Sequence, residues 1–245
     1  MDPTDILQGV AERYSQCRSY VDSGLAEFDD MNQKRERIEF KTEFVRPDYI
    51  RFEWQDYGPR RGKSERFSML WSNGEKHIMR LNNNKPSFAD QPSLGMAVAG
   101  ATGCSAGAAH IVPALLLDEL RTDCKHLLLL TDLEVLPEEP LDGLNCYVLK
   151  GSLLKAGDHV LWISKNDFCL RRVRSDRSST AEESERQHKA LTANIDLMTR
   201  LTERGIAPPK EMTHRDRSAV LEYFYTNVSF DGSIARSLQP EPDTC

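Results

Sequence analysis

Hydrophobic and polar positions change period several times along the chain, and each change marks an element. In the first twenty residues Ile6, Val10, Tyr14 and Cys17 recur at helical spacing on one stripe, with Asp5 placed to cap the helix. From Tyr20 onward the period falls to two. Residues 37–44 alternate charged with apolar side chains, which predicts a strand with one wet face. After a break at Arg46, Pro47 and Asp48 the alternation resumes over 49–54, and further strands are expected at 65–71 and 76–81. Asn73-Gly74, between the last two, is a strong hairpin signal. Connections this short cannot make parallel crossovers, so the sheet is antiparallel.

Residues 92–118 break the alternation. They are rich in Ala and Gly, with Ile111, Val112, Leu115, Leu116 and Leu117 in the second half. The pattern predicts two short helices bent near Gly107, with Pro113 early in the second. A segment apolar nearly all round belongs in the interior. Strands resume at 126–130, 145–150, 159–163 and 168–173, with turns at Asp142-Gly143 and 165–167, and a last strand covers 220–230. Residues 175–217 are charge-dense. Thr180 and Glu183 have capping-box spacing for a helix reaching about residue 204, with a narrow stripe of Leu191, Ile195, Met198 and Leu201. This segment reads as a helical insertion in a long hairpin, within one domain spanning 1–245.

Composition narrows the function classes. The chain carries 32 Lys and Arg against 38 Asp and Glu, a net charge of −6, which argues against a nucleic-acid partner. Arg60-Arg61-Gly62-Lys63 sits at a hairpin tip and suits solvent better than phosphate. No stretch approaches the roughly 20 apolar residues of a membrane span. Residues 1–5 lack the basic and apolar regions of a secretory signal, so a cytoplasmic location is expected if Met1 is the start. The six cysteines (Cys17, Cys104, Cys124, Cys146, Cys169, Cys245) have no zinc-like spacing; free buried thiols are expected, with disulfides open if the protein is exported.

One catalytic pattern stands out: Gly103-Cys104-Ser105-Ala106-Gly107 matches the nucleophile elbow. That elbow needs a strand just before the serine and a parallel sheet around it, and neither is expected here. Asp158 with His159, or Asp176 with His188, would have to complete the triad. His110 follows closely and could also partner Ser105. Beyond this motif the chain offers apolar surface. Alternation turns Ile38, Phe40, Phe44, Ile50, Phe52, Trp54, Phe67, Met69 and Trp71 inward. The Ala- and Gly-rich helices either fill that surface or leave a pocket, and small residues on a covering helix suit a lid.

The order of elements resembles the LolA/LolB-like superfamily of outer-membrane lipoprotein carriers and sorting proteins. The resemblance lies in the helix at 5–20, the strand Phe44-Val45-Arg46-Pro47-Asp48-Tyr49-Ile50-Arg51-Phe52, the hairpin Trp162-Ile163-Ser164-Lys165 to Leu170-Arg171-Arg172-Val173, and the closing Tyr225-Thr226-Asn227-Val228-Ser229-Phe230. It implies a fold of α+β class, mainly β: a curved, antiparallel, unclosed β-barrel with an N-terminal helix and buried lid helices. It also implies a periplasmic setting and a non-catalytic role in carrying a lipid or lipoprotein acyl chain. A lid-locking arginine is part of that picture, with Arg51 the candidate by its place in the strand. The expected ligand-binding residues are Phe52, Trp54, Phe67, Met69 and Trp71 on the sheet and Met96, Ile111 and Leu115 on the lid. A monomer with a membrane-associated protein partner, no metal and no cofactor complete the expectation. A serine hydrolase using Ser105, and a signalling module that binds a protein through the insertion, are the alternatives.

Overall fold

The structure, a computed structural model, describes residues 1–29, 35–58, 62–63, 67–81, 87–121, 126–153, 157–177 and 220–234. The expected insertion helix at 180–204 lies outside them. Helix α1 spans Pro3–Gln16, with Ile6, Val10 and Tyr14 buried on the expected stripe. Its cap is Asp2 rather than Asp5: the Asp2 carboxylate accepts from Thr4 N at 2.8 Å and Pro3 opens the helix.

The strands are β1 (Ser19–Asp29), β2 (Arg35–Val45), β3 (Tyr49–Gly58), β4 (Gly62–Lys63), β5 (Ser68–Asn73), β6 (His77–Leu81), β7 (Ser87–Asp90), β8 (Thr131–Leu141), β9 (Leu144–Leu153), β10 (Gly157–Ser164), β11 (Leu170–Asp176) and β12 (Val220–Phe230). Between β7 and β8 lie α2 (Leu94–Cys104) and α3 (Ala108–Leu116). Among the described residues eleven strands form one antiparallel path, β7-β6-β5-β3-β2-β1-β12-β11-β10-β9-β8, with β4 beside β3. Two meanders are thus joined where β12 pairs with β1. The edges, β7 and β8, are consecutive in the chain yet lie at opposite ends of the path. The curved sheet stays unclosed, and α2 and α3 connect its edges.

Periodicity missed both edge strands for a physical reason. β7 has four residues, and β8 carries Pro137, Pro140 and several glutamates, so neither shows apolar alternation. The strand expected at 126–130 is instead a 3-10 turn over Leu127–Leu129 that buries Leu127. Asp142 and Gly143, both at positive φ, turn β8 into β9. Pro113 lies in the middle of α3 rather than in its first turn.

Along β1 and β2 the even-numbered positions face the helices: Tyr20, Asp22, Ala26, Ile38, Phe40 and Phe44 are all buried. Phe40 stacks on Phe52 at 5.9 Å and meets Tyr225 edge-on at 5.5 Å, contacts worth about 0.5–1.5 kcal/mol each beyond burial. Gly24, paired with both Phe40 and Tyr225, makes this possible, because a Cβ there would collide with the Phe40 ring. At the Tyr20 end α1 packs on the sheet: Tyr14, Tyr20 and Phe230 form a triad with centroids 5.1–5.4 Å apart, and Leu170 N donates to Tyr14 Oη. Phe28, eight residues along β1, lies roughly 26 Å away at the other end.

Candidate functional site

A cavity of about 610 Å³ occupies that other end, between the α2–α3 elbow and the sheet. Its floor is made of register rows that no local sequence window contains. One row runs from Phe28 (β1) through Leu221 (β12) and Ser175 (β11) to His159 (β10). The adjacent row runs from Ile38 (β2) through Ala26 and Tyr223 to Val173. Apolar side chains therefore dominate on the β1–β2 side, and polar ones gather toward β10 and the end of β11, where Arg177 also lines the wall. Leu127 and Leu153 add apolar surface.

The roof is the elbow from Thr102 to Ile111. It bends because Gly107 takes φ +97°, which a side chain resists, and an added Cβ would fall 2.8 Å from Tyr223 Oη. Tyr223 Oη donates to Ala106 O at 2.7 Å and fastens the elbow to β12. Ser105, the serine of the Gly-Cys-Ser-Ala-Gly motif, sits between two helices with no strand before it. It is fully buried, and its Oγ accepts from Ala109 N at 3.1 Å as a cap on α3. That is a different setting from a strand–turn–helix elbow. Of its expected partners, Asp158 bonds Ser152 on the surface, His159 and His110 line the cavity, and His188 lies outside the described residues.

Electrostatics divides the cavity further. Burial lowers the His159 pKa, helped by the Arg177 charge and opposed by the Gly157 carbonyl and Asp158. Its Nδ1 lies 3.0 Å from Gly157 O, so the neutral ring carries its proton there and turns Nε2 free of that bond. Burial pushes the Tyr223 phenol up to about 12, partly offset by Arg177. Arg177 Nε donates to Ser175 Oγ at 3.2 Å, and its Nη2 lies 3.9 Å from where a Gly107 Cβ would be.

The opposite end of α3 is held by arginines. Arg46 donates to Tyr14 O, Cys17 O and Leu116 O at 2.9–3.2 Å, which ties the C-terminal ends of α1 and α3 together. Arg121 takes Ala114 O and Leu115 O. Cations at helix C-termini satisfy carbonyls that the helix leaves unpaired. Arg51, the expected lid-locking position, instead pairs with Glu53 on the far side of the sheet, at 2.6 Å.

The structure distributes the eight expected ligand-binding residues. Ile111 lines the cavity. Phe52, Trp54 and Leu115 are buried in the main core beside it. Met69 and Trp71 pair with Glu53 and Arg51, so they occupy the opposite face from Phe52 and cluster there with Tyr49. Phe67 is half-buried 5.7 Å from Lys41 Nζ, which belongs to that same outward set of β2. Met96 is exposed on α2. The lining residues that alternation missed are mostly polar or follow a strand's expected end: His159, Ser175 and Arg177. A histidine at an inward position of strand 159–163 was the signal available. Of the cysteines, Cys104 is exposed at the cavity, Cys17, Cys146 and Cys169 are buried free thiols, and Cys124 and Cys245 lie outside the described residues.

Among the described residues no helix is long and apolar enough to cross a membrane. No family model matches the chain, and no curated protein matches its sequence. Solved structures similar to it include lipoprotein LppX of Mycobacterium tuberculosis, at 8% identity and TM-score 0.46, covering 95% of this chain and 97% of that one. LprF of Mycobacterium bovis matches at 8% identity and TM-score 0.47, over 95% and 94% of the two chains. A LolA-superfamily protein from Nitrosomonas europaea matches at 11% identity and TM-score 0.31, over 99% and 96%. A LolA-superfamily protein and a mycobacterial lipoprotein are thus among the structures this chain is similar to. None of these three reaches a TM-score of 0.5, which leaves the chain's own geometry to carry the function.

Proposed function

We propose that this protein is a non-catalytic carrier or binding protein for a lipid or lipoprotein acyl chain, held between the α2–α3 elbow and the sheet. The observation that carries this reading is the cavity itself. Its volume of about 610 Å³ falls within the roughly 300–1,000 Å³ of small-molecule sites, and its wall is mainly apolar, with Ser175, His159 and Arg177 grouped on β10 and at the end of β11. An acyl chain buried there gains about 0.8 kcal/mol per CH₂. Ile111, Leu221, Val173, Phe28 and Ile38 would contact the chain, and movement of the elbow would release it. The capping role of Ser105 supports the non-catalytic reading over a hydrolase. A membrane-associated protein that receives the cargo, and a periplasmic setting, belong to the same proposal.

Native mass spectrometry of the purified protein, followed by organic extraction, tests it. A co-purified mass that dissociates on denaturation and is recovered as a lipid is the expected result. Leu221→Trp, which fills the cavity from a half-buried position, should give a folded protein by circular dichroism without that mass. Equal lipid content in this variant would count against the site.

A further inference from the structure

We infer that the cavity selects a lipid with an anionic head group, seated against Arg177 at the polar end while the acyl chain lies toward Phe28. This deepens the carrier reading and rests on it. Among the described residues lining the cavity there is one arginine, two histidines (His110 and His159) and no carboxylate. Arg177 makes no ion pair with a described acidic side chain; its described hydrogen bond goes to the neutral Ser175 Oγ and uses only Nε. The nearest acid on the neighbouring strand, Asp158, is turned to the surface, where Ser152 Oγ donates to it at 2.6 Å and Lys150 lies 4.0 Å away. Arg177 Nη2 lies 3.9 Å from where a Gly107 Cβ would be, so the guanidinium reaches the roof of the cavity.

The placement follows from the register. In the row Phe28–Leu221–Ser175–His159 polarity rises from β1 to β10, and Arg177, just past the end of β11 and two residues after Ser175, lines the cavity. A ligand that matches this gradient has an apolar body and a charged, hydrogen-bond-accepting head. Arg177 is exposed at the rim of the cavity, and an arginine fork suits the paired oxygens of a carboxylate or a phosphate ester.

Displacement of the fluorescent fatty acid cis-parinaric acid from the purified, delipidated protein tests this. Oleate should displace the probe at about a tenfold lower concentration than oleyl alcohol, which has the same chain and no charge. With each competitor's Kd corrected for the probe's own affinity in that variant, Arg177→Met should remove most of that difference by weakening oleate, and Arg177→Lys should retain much of it. Equal displacement by oleate and oleyl alcohol, or an unchanged preference in Arg177→Met, would overturn the head-group inference and leave the carrier reading standing. Inorganic phosphate displacing the probe as well as oleate would show a free-anion site and overturn the lipid assignment. Failure of the probe to bind at all would remove the carrier reading, and this inference with it.

Discussion

At the scale of single residues, Asp22 is the most consequential group outside the cavity. It is fully buried on the helix-covered face, accepting from Tyr20 Oη at 2.8 Å and from Thr42 N at 2.9 Å. Burial raises its pKa to about 7 even though both hydrogen bonds favour the charged form. Between the ordinary carboxylate range and pH 7 the folded protein therefore holds a proton that the unfolded chain has lost. Stability from this group falls as pH rises through that window, by at most about 1.4 kcal/mol per pH unit, and levels off above it. Asp22→Asn keeps the shape and both partners, so urea midpoints should show the variant gaining on the parent from pH 5 to pH 8. Parallel pH profiles for the two would refute this account. No sequence pattern marked Asp22, because an aspartate at an inward position of β1 looks like a break in alternation rather than a buried hydrogen-bonded group.

Elements were legible where they bury one face and leave the other wet. The alternation of β2 agrees with its burial, and the stripe of α1 buries where periodicity put it. Parity failed at β5: Leu70, not Met69 or Trp71, lies opposite Phe52 and shares its face. Apolar residues occupy both faces of this strand, so composition alone left its phase undetermined. The arginine that anchors the helices was equally out of reach, since its three acceptors lie on two distant segments. Replacing it tests that anchor: Arg46→Ala should cost about 1.5–3 kcal/mol in denaturant unfolding and speed hydrogen exchange over 108–116. Arg46→Lys should recover only part, because a point charge cannot serve three carbonyls in a fork. Unchanged exchange in α3 would show that packing alone holds it.

At the scale of the whole molecule, the topology places α1 at one end of the unclosed sheet and the cavity at the other, with α3 running between them. The anchored end of α3 is the Leu116 end, tied by Arg46 and Arg121. The cavity end is the elbow at Gly107, tied to β12 through Tyr223. A ligand bound only by the folded state should stabilise it by about 2.7 kcal/mol at one hundred times its Kd. For a chain of this length that corresponds to a rise in Tm of roughly 5–10 °C. Oleate should produce such a shift in the parent and a smaller one in Leu221→Trp; identical shifts would place the ligand elsewhere.

The sequence by itself determined the antiparallel β-rich class, the N-terminal helix, the helical pair with its bend at Gly107 and the hairpin turns at Asn73-Gly74 and Asp142-Gly143. All of these follow from short-range physics: side-chain period, turn conformation and solvation of one face. The expected burial of both helices holds for α3 and not for α2, which leaves Gly95, Met96 and Ala99 exposed. Tertiary structure alone decided the pairing of β1 with β12, the edges of the sheet and the cavity. Register rows unite residues some two hundred positions apart, such as Phe28 with Leu221. Which polar side chain ends up beside which apolar one depends on that register, and a one-residue slip would turn every one of them to the other face.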